Sequence, residues 1–430
     1  MKQSKNKLKK TERKDTYGSP RWSNEFLDCA MPMTFDQYNL CSYQCLYCFS
    51  FYQRFNVENY AKKKVRWVNV DRVKQIFLEP ESSQFEHYVK ARIPLQWGGL
   101  SEPFDLLEPH FGIGLQLLKF FREIDYPVAF STKSTWFVKD KRYSDIIKGA
   151  KNFHFKWSII TLDEEKARLI ERGVPSPQER LEAMGEVAKW GTAGVTLRLR
   201  PFFIGVSDPT HLDLIREAVK RGAGSVSTEF FCLEARADLR VKKRYAEMSK
   251  ICGYDLYRFY KKNTRGSGYW RLNYEIKRPF IEEMQTLCDQ LQIPFFVSDA
   301  HHKEKCSYGN CCGCPKDKYF GNYQKCQFTE AITIAKEKGE VRFSDITKNP
   351  HEFFEGTSVR RVLHPGNDTV ARHWHKSLFD YMRWAWNHPT QTSHSPYNYF
   401  SKMLIPCGLD KNGDVVYRFN RRKYENRSKK

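Results

Sequence analysis

The chain lacks any run of about 18 apolar residues, the length a membrane-crossing helix requires. It also lacks an apolar stretch behind Met1 of the kind a secretory signal carries. A protein that neither spans a membrane nor is secreted is therefore expected, with the cytoplasm as its compartment. Acidic residues are few for a chain of 430: 50 Asp+Glu stand against 72 Lys+Arg, a formal net charge of +22. Cysteine is missing from a long central stretch, with none between Cys48 and Cys232, although the chain holds 13. Cysteines gathered at two places argue against a disulfide framework and for metal sites in a reducing compartment. At this length the chain can bury a large core, and one large domain with an appended smaller one is expected.

The most informative residues are Cys41, Cys45 and Cys48, in Cys41-Ser42-Tyr43-Gln44-Cys45-Leu46-Tyr47-Cys48. The spacing C-x3-C-x2-C sets three thiols around one tight loop. Three thiolates can hold three irons of a [4Fe–4S] cube and leave the fourth without a protein ligand, and an open metal position belongs to chemistry rather than scaffolding. A zinc site lacking one ligand, or three unrelated core cysteines, are the plain alternatives.

After this loop, β-rich runs alternate with amphipathic helical stretches roughly every 30 residues, the rhythm of βα units around a parallel sheet. Strands are expected at Arg92–Trp97, Pro127–Thr132, His154–Thr161, Gly194–Pro201, Ser225–Leu233 and Pro294–Ser298. Helices are expected at Leu106–Ile124, Pro177–Trp190 and His211–Arg221. One more strand leads into the cysteine loop. The expected fold is α/β, a partial (β/α)6 barrel with the cysteines at its C-terminal mouth, where barrel enzymes place their chemistry. The expected division is a basic disordered arm over 1–22, the barrel over 23–300, and a Cys-rich, aromatic and basic C-terminal region over 301–430.

The basic excess concentrates at both ends. Residues 1–14 carry Lys2, Lys5, Lys7, Lys9, Lys10, Arg13 and Lys14 against Glu12 alone, and the chain closes on Arg421-Arg422-Lys423 and Lys429-Lys430. It continues inside, at Lys62-Lys63-Lys64 and Arg240-Val241-Lys242-Lys243-Arg244. Such charge neutralises phosphates and predicts a nucleic-acid partner whose binding is salt-sensitive. A solubilising tail is the alternative.

The cysteine loop, with an aromatic residue before its last Cys, resembles the signature of the radical S-adenosylmethionine (radical SAM) superfamily, in particular its spore photoproduct lyase-like branch. Further segments carry that resemblance: Gly98-Gly99-Leu100-Ser101-Glu102-Pro103-Phe104-Asp105, Ser131-Thr132-Lys133-Ser134 and Ser158-Ile159-Ile160-Thr161-Leu162-Asp163, followed by Pro175-Ser176-Pro177 with Arg180-Leu181, and the stretch Arg200-Pro201 to Asp208. The resemblance implies a partial radical SAM barrel and a [4Fe–4S] cluster on Cys41, Cys45 and Cys48. It also implies S-adenosylmethionine (SAM) on the open iron, and a reductant such as flavodoxin or ferredoxin. It further implies that Gly98 and Gly99 bring backbone close to the methionine amino group. Tyr47 would lie by the adenine, Ser158 by the ribose or carboxylate, and Arg200 by the carboxylate. Glu102 and Asp105 would position SAM or substrate, or cap the helix near Leu106; Lys133 would touch SAM or substrate, or pair inside the barrel. The branch's name-giving enzyme returns hydrogen from a cysteine shortly after the cluster, which this chain does not have. Cys232 could substitute, or could be a small buried hydrophobe.

A second group, Cys306, Cys311 and Cys314 with Cys326, could close a zinc site or hold an auxiliary iron–sulfur centre, with Cys312, His301 or His302 as alternative ligands. The expected activity is radical modification, rearrangement or isomerisation of a thymine-derived base in DNA, with DNA favoured over RNA. The rivals are RNA modification and the activation or modification of a protein partner.

Overall fold

Along Gly194–Phe202, Val195, Leu197 and Leu199 are buried on one side, while Thr196, Arg198 and Arg200 share the other. That period of two marks a strand whose faces meet different surroundings. The same alternation recurs at Phe153–Ser158, where Phe153, Phe155 and Trp157 face one way and His154, Lys156 and Ser158 the other. In the computed structural model, which describes residues 20–23, 27–50, 64–235, 239–264, 269–321, 327–347, 356–363 and 368–421, these strands lie side by side. The basic runs 1–14 and 422–430, the pair Lys62-Lys63 and the expected ligand Cys326 lie outside the described residues.

Eight strands form the main sheet in sequence order: β1 (Arg21–Trp22), β2 (Met33–Phe35), β3 (Leu95–Trp97), β4 (Val128–Thr132), β5 (Phe153–Ser158), β6 (Gly194–Phe202), β7 (Ser225–Phe230) and β8 (Phe295–Val297). β1 is antiparallel to β2, and every later pairing is parallel. Six strand–helix units followed by a closing strand make a partial barrel, as the sequence rhythm implies. The outer faces pack aromatics under the helices: Phe121 meets Trp97 at 5.9 Å between ring centroids, and Phe155 stacks on Phe130 at 4.9 Å.

Local chemistry sets the helix ends. Ser176 accepts from the amide of Glu179 while the Glu179 carboxylate accepts from that of Ser176, a complete capping box that opens Pro177–Ala188. The single helix expected over Leu106–Ile124 is instead two, Glu108–Phe111 and Ile113–Glu123. Gly112 takes a left-handed φ of 62° between them, and the Glu108 carboxylate turns back to accept from the Leu115 amide at 2.8 Å.

The Cys-rich segment does not stand apart. Ser307 donates to the Phe295 carbonyl at 2.9 Å and accepts from the Phe295 amide at 2.8 Å, so this segment satisfies the open edge of β8. Farther on, Gly313 enters the barrel at the N-terminal ends of β6 and β7, where its carbonyl accepts from Thr196 at 3.0 Å and Ser225 at 2.9 Å. Beyond it lies the helix Phe328–Lys338, then a small antiparallel sheet of β9 (Glu340–Val341), β10 (Leu404–Leu409) and β11 (Val415–Phe419). A hairpin through Asn412-Gly413 joins β10 to β11, with Gly413 at φ 78°. The aromatic run near 379–386 is a helix, Leu378–Asn387, in which Tyr381 and Trp386 are buried. One apolar cluster runs unbroken from Trp22 to Phe419, so the C-terminal region packs onto the barrel as shared core.

Candidate active site

All the sequence-singled segments from residue 36 to residue 200 follow or end β2 to β6, which places them at one mouth of the barrel. Cys41, Cys45 and Cys48 sit on the loop after β2. Three side chains from other elements hold that loop. Asp105 accepts from the Ser42 amide at 2.7 Å and its hydroxyl at 2.5 Å; it also accepts from the Leu107 amide at 3.0 Å, so it ties the loop and caps the following turn. Tyr43 donates to Ser134 at 3.0 Å. Tyr47 donates to Glu171, whose short strand with Arg172 pairs with Gln44–Cys45. Glu171 in turn is bridged by the buried Arg180 at 2.7 Å, and Arg180 donates to the Ser158 carbonyl at 2.7 Å.

Two of the thiols, Cys41 and Cys45, are held from ionising. Burial first, then Asp105, Cys48, Glu102 and Cys45, holds Cys41 well above the usual thiol range. Burial pushes Cys45 up to about 12, against the pull of Lys133 and Arg180. A cationic metal cluster would offset what holds Cys41 and Cys45 protonated. Among the described residues no group of three or more His, Cys, Asp or Glu side chains is arranged to hold a metal ion, Cys41, Cys45 and Cys48 included; the three cysteines share one loop.

Around the loop the expected cofactor residues take definite places. Gly98, at φ 92°, has Ser131 carbonyl oxygen and Pro103 within 2.6–2.8 Å of where a Cβ would stand. Gly99 has Arg21 at 2.8 Å in the same sense. Gly98 is thus required by close packing of this chain's own backbone, whereas Gly99 faces the movable end of Arg21. Glu102 is buried and fully engaged: it accepts from Thr132 at 2.5 Å, from the Lys133 amide at 2.9 Å and from the Phe104 amide at 3.1 Å. Burial raises its carboxyl to about 7 against those hydrogen bonds. Its place is between the ends of β3 and β4. Lys133 lies over the Tyr47 ring at 5.7 Å, beside the cysteine loop. Ser158 is buried, with Arg198 3.5 Å from its hydroxyl. Arg200 pairs with Glu229 and donates to Ser298 at 3.0 Å. Burial alone would lower Arg200, but Glu229, Cys311 and Cys312 raise it beyond its ordinary value.

The inward faces of β5 and β6 make the lumen basic. Lys156 is buried and donates to Gln96; burial lowers its ammonium while Cys312 and Cys314 favour its charge. Into this lumen projects the second cysteine group. Cys311 accepts from Ser298 at 3.6 Å and lies beside Cys312, which it lowers by hydrogen bonding. Cys314 is buried against Met31, 3.9 Å between sulfurs. Cys306 is turned to the β8 edge, accepting from the Val297 amide at 3.3 Å. His302 is buried and stacks on Tyr274 at 4.2 Å. Cys232 follows β7, half-buried, 3.7 Å from the Phe230 carbonyl, and burial then Glu229 push it up to about 12.

Sequence reasoning misses Asp36, which directly follows β2. It accepts from the amides of Leu100 and Ser101 at 2.9 and 2.7 Å and from Arg21 at 2.6 Å, and so shapes the Gly98–Ser101 turn. A carboxylate directly after a barrel strand is the signal that could have found it. Arg180 belongs to one of the motif segments, but its pairing with Glu171 and its burial exist only in three dimensions.

Comparison with family models and with curated proteins returns no match. Among solved structures, the chain is similar to spore photoproduct lyase complexed with dinucleoside spore photoproduct, at 15% identity over 66% of this chain and 80% of that one, with a TM-score of 0.48. It is also similar to a spore photoproduct lyase double mutant with bound AdoMet and dinucleoside spore photoproduct, at 16% identity over 65% and 80%, with a TM-score of 0.46. A third similar structure is Streptococcus suis SuiB bound to precursor peptide SuiA, at 14% identity over 64% of this chain and 51% of that one, with a TM-score of 0.42.

Proposed function

We propose that this chain is a cytoplasmic radical SAM enzyme that rearranges, isomerises or cleaves at a pyrimidine base in DNA. The basic arm ends before β1, since Arg21–Trp22 belong to the main sheet and not to the arm expected over 1–22; the barrel runs from there to 300 as the catalytic unit, and 301–430 closes it. The observation that carries this reading is the placement of Cys41, Cys45 and Cys48 on one loop directly after β2, the strand that opens the parallel part of the sheet. A [4Fe–4S] cluster held there, with SAM on its open iron, would supply one-electron cleavage of SAM and so a means of taking hydrogen from carbon.

The chain's own residues prepare the place. Asp105 and the Glu171–Arg180 pair hold the loop in register with the ends of β3 and β5. Lys133 and Arg180 set positive charge beside the thiols, which favours thiolate ligation. Arg198 and Ser158 face the lumen on neighbouring strands, where a forked guanidinium suits a carboxylate. DNA is favoured as substrate because the formal charge is +22 and exposed cations such as Lys242, Lys243, Lys261 and Lys262 lie on the helices between β7 and β8.

Anaerobically reconstituted protein should show a reducible cluster and release 5′-deoxyadenosine from SAM. Cys41→Ala, Cys45→Ala and Cys48→Ala should each abolish both, and normal cleavage in any of them would remove the proposal. Deuterium on the carbon attached to C5 of the target pyrimidine should appear in 5′-deoxyadenosine. Transfer from tRNA or a peptide instead would move the enzyme to a rival class.

A further inference from the structure

A cavity of about 310 Å³ lies where β7 and β8 end. Its barrel wall is Glu229, Ser298 and Asp299, and its opposite wall comes from the C-terminal region through His394 and Tyr399. Glu229 and Ser298 both engage Arg200, so the cavity adjoins the basic lumen beneath the cysteine loop. Asp299 is fixed by the buried Lys277 at 2.7 Å, and His394 is fixed by Tyr381 at 2.6 Å. Arg271 stands exposed at the rim. It follows two helices, Leu239–Cys252 and Leu256–Lys262, whose exposed side chains include Arg240, Lys242, Lys243, Arg258, Lys261 and Lys262.

Three properties meet here. The volume is at the small end of ligand pockets, which run from about 300 to 1,000 Å³, so it has room for one heterocycle and not for a base pair. The walls offer acceptors (Glu229, Asp299), a donor (Arg271) and an aromatic ring (Tyr399), the set that binds a planar heterocycle by its edge and face. The exposed Arg271 among the lining residues suits a phosphate that would flank it. We infer that this cavity receives a single unpaired nucleobase, from a single strand or extruded from a duplex, and that the C-terminal region, through Tyr399 and His394, decides which base is accepted. The inference rests on the DNA reading above.

Binding of a fluorescently labelled 12-nucleotide single strand would be compared with that of a sugar-phosphate strand of equal length bearing no bases. Wild-type protein should bind the base-bearing strand more tightly. Tyr399→Ala should weaken that strand roughly five- to a hundredfold, the loss expected of one stacked base, and leave the abasic strand unchanged. Tyr399→Phe, which keeps the ring, should behave as wild type. Lys242→Gln with Lys243→Gln should weaken both strands alike. Equal wild-type affinity for the two strands overturns the inference without any variant, and so does an equal loss on both strands in Tyr399→Ala. Failure of the wild type to bind DNA at all overturns the DNA reading with it. SAM cleavage without DNA reports separately on the barrel chemistry.

Discussion

His154 sits near the N-terminal end of β5, facing the lumen and hydrogen-bonded to Thr196 at 2.8 Å. Burial, then Lys156, lowers its pKa to about 3. The unfolded chain therefore takes up a proton below about pH 6.5 that the folded chain refuses until far lower pH, so stability is lost as pH falls through that window. Between pH 6.5 and 5 the loss amounts to about 2 kcal/mol from this residue. His154→Asn should flatten the slope of unfolding free energy against pH by about that amount, as urea melts at pH 7 and pH 5 would measure; an unchanged slope would show the ring is protonated in the fold. At this scale the sequence is legible where spacing sets residues together, as with the three cysteines that share the loop after β2. It leaves the duty open where a residue could serve either ligand or protein: Glu102 and Gly98 meet neighbouring chain atoms, and nothing in spacing separates that duty from ligand contact.

Between residues and the whole lie the inserted segments, of which Gly313 gives the sharpest test. At φ 75° it has no room for a Cβ, since Thr196 would stand 2.5 Å away and Ser225 3.0 Å away. Gly191 has a similar φ of 70°, but nothing closer than the flexible end of Lys151 at 3.8 Å. Gly191→Ala should therefore cost only the left-handed backbone penalty, about 1–2 kcal/mol. Gly313→Ala should add an overpacking cost of about 1–3 kcal/mol and lower the melting temperature further. Equal melting temperatures for the two variants would mean the segment does not seat inside the barrel. The strands and capped helices of the barrel are readable because hydrophobic alternation and cap residues are local signals. The destination of the Cys306–Cys314 segment is not, since its edge pairing with Phe295 and its carbonyl bonds at Thr196 and Ser225 join residues far apart in sequence. The expected helix over Leu106–Ile124 fails for a related reason: Gly112 and the long reach of Glu108 outweigh an otherwise continuous apolar periodicity.

For the molecule as a whole, charge is the property that the sequence states most directly and that the fold then distributes. The lumen gathers Lys156, Arg198 and Arg200, with Glu229 paired to Arg200, and the helices between β7 and β8 carry exposed cations. Affinity for DNA should therefore fall steeply with salt, with a slope of about 0.9 per phosphate neutralised on a duplex and about 0.7 on a single strand. Residues 1–14 add Lys2, Lys5, Lys7, Lys9, Lys10, Arg13 and Lys14 against Glu12. They precede β1 and contain no cysteine, so they offer no ligand to the cluster loop. Deleting them should lower the slope by about one unit for each phosphate no longer neutralised, weaken binding across all sequences alike, and leave 5′-deoxyadenosine release from SAM at the wild-type rate. Titrations of labelled DNA at several salt concentrations would measure the slope, and a SAM-cleavage assay without DNA would measure the rest. An unchanged slope would assign the affinity to the folded body, through Arg271 and the helices beside it; a fall in SAM cleavage would mean the arm supports the barrel rather than the nucleic acid.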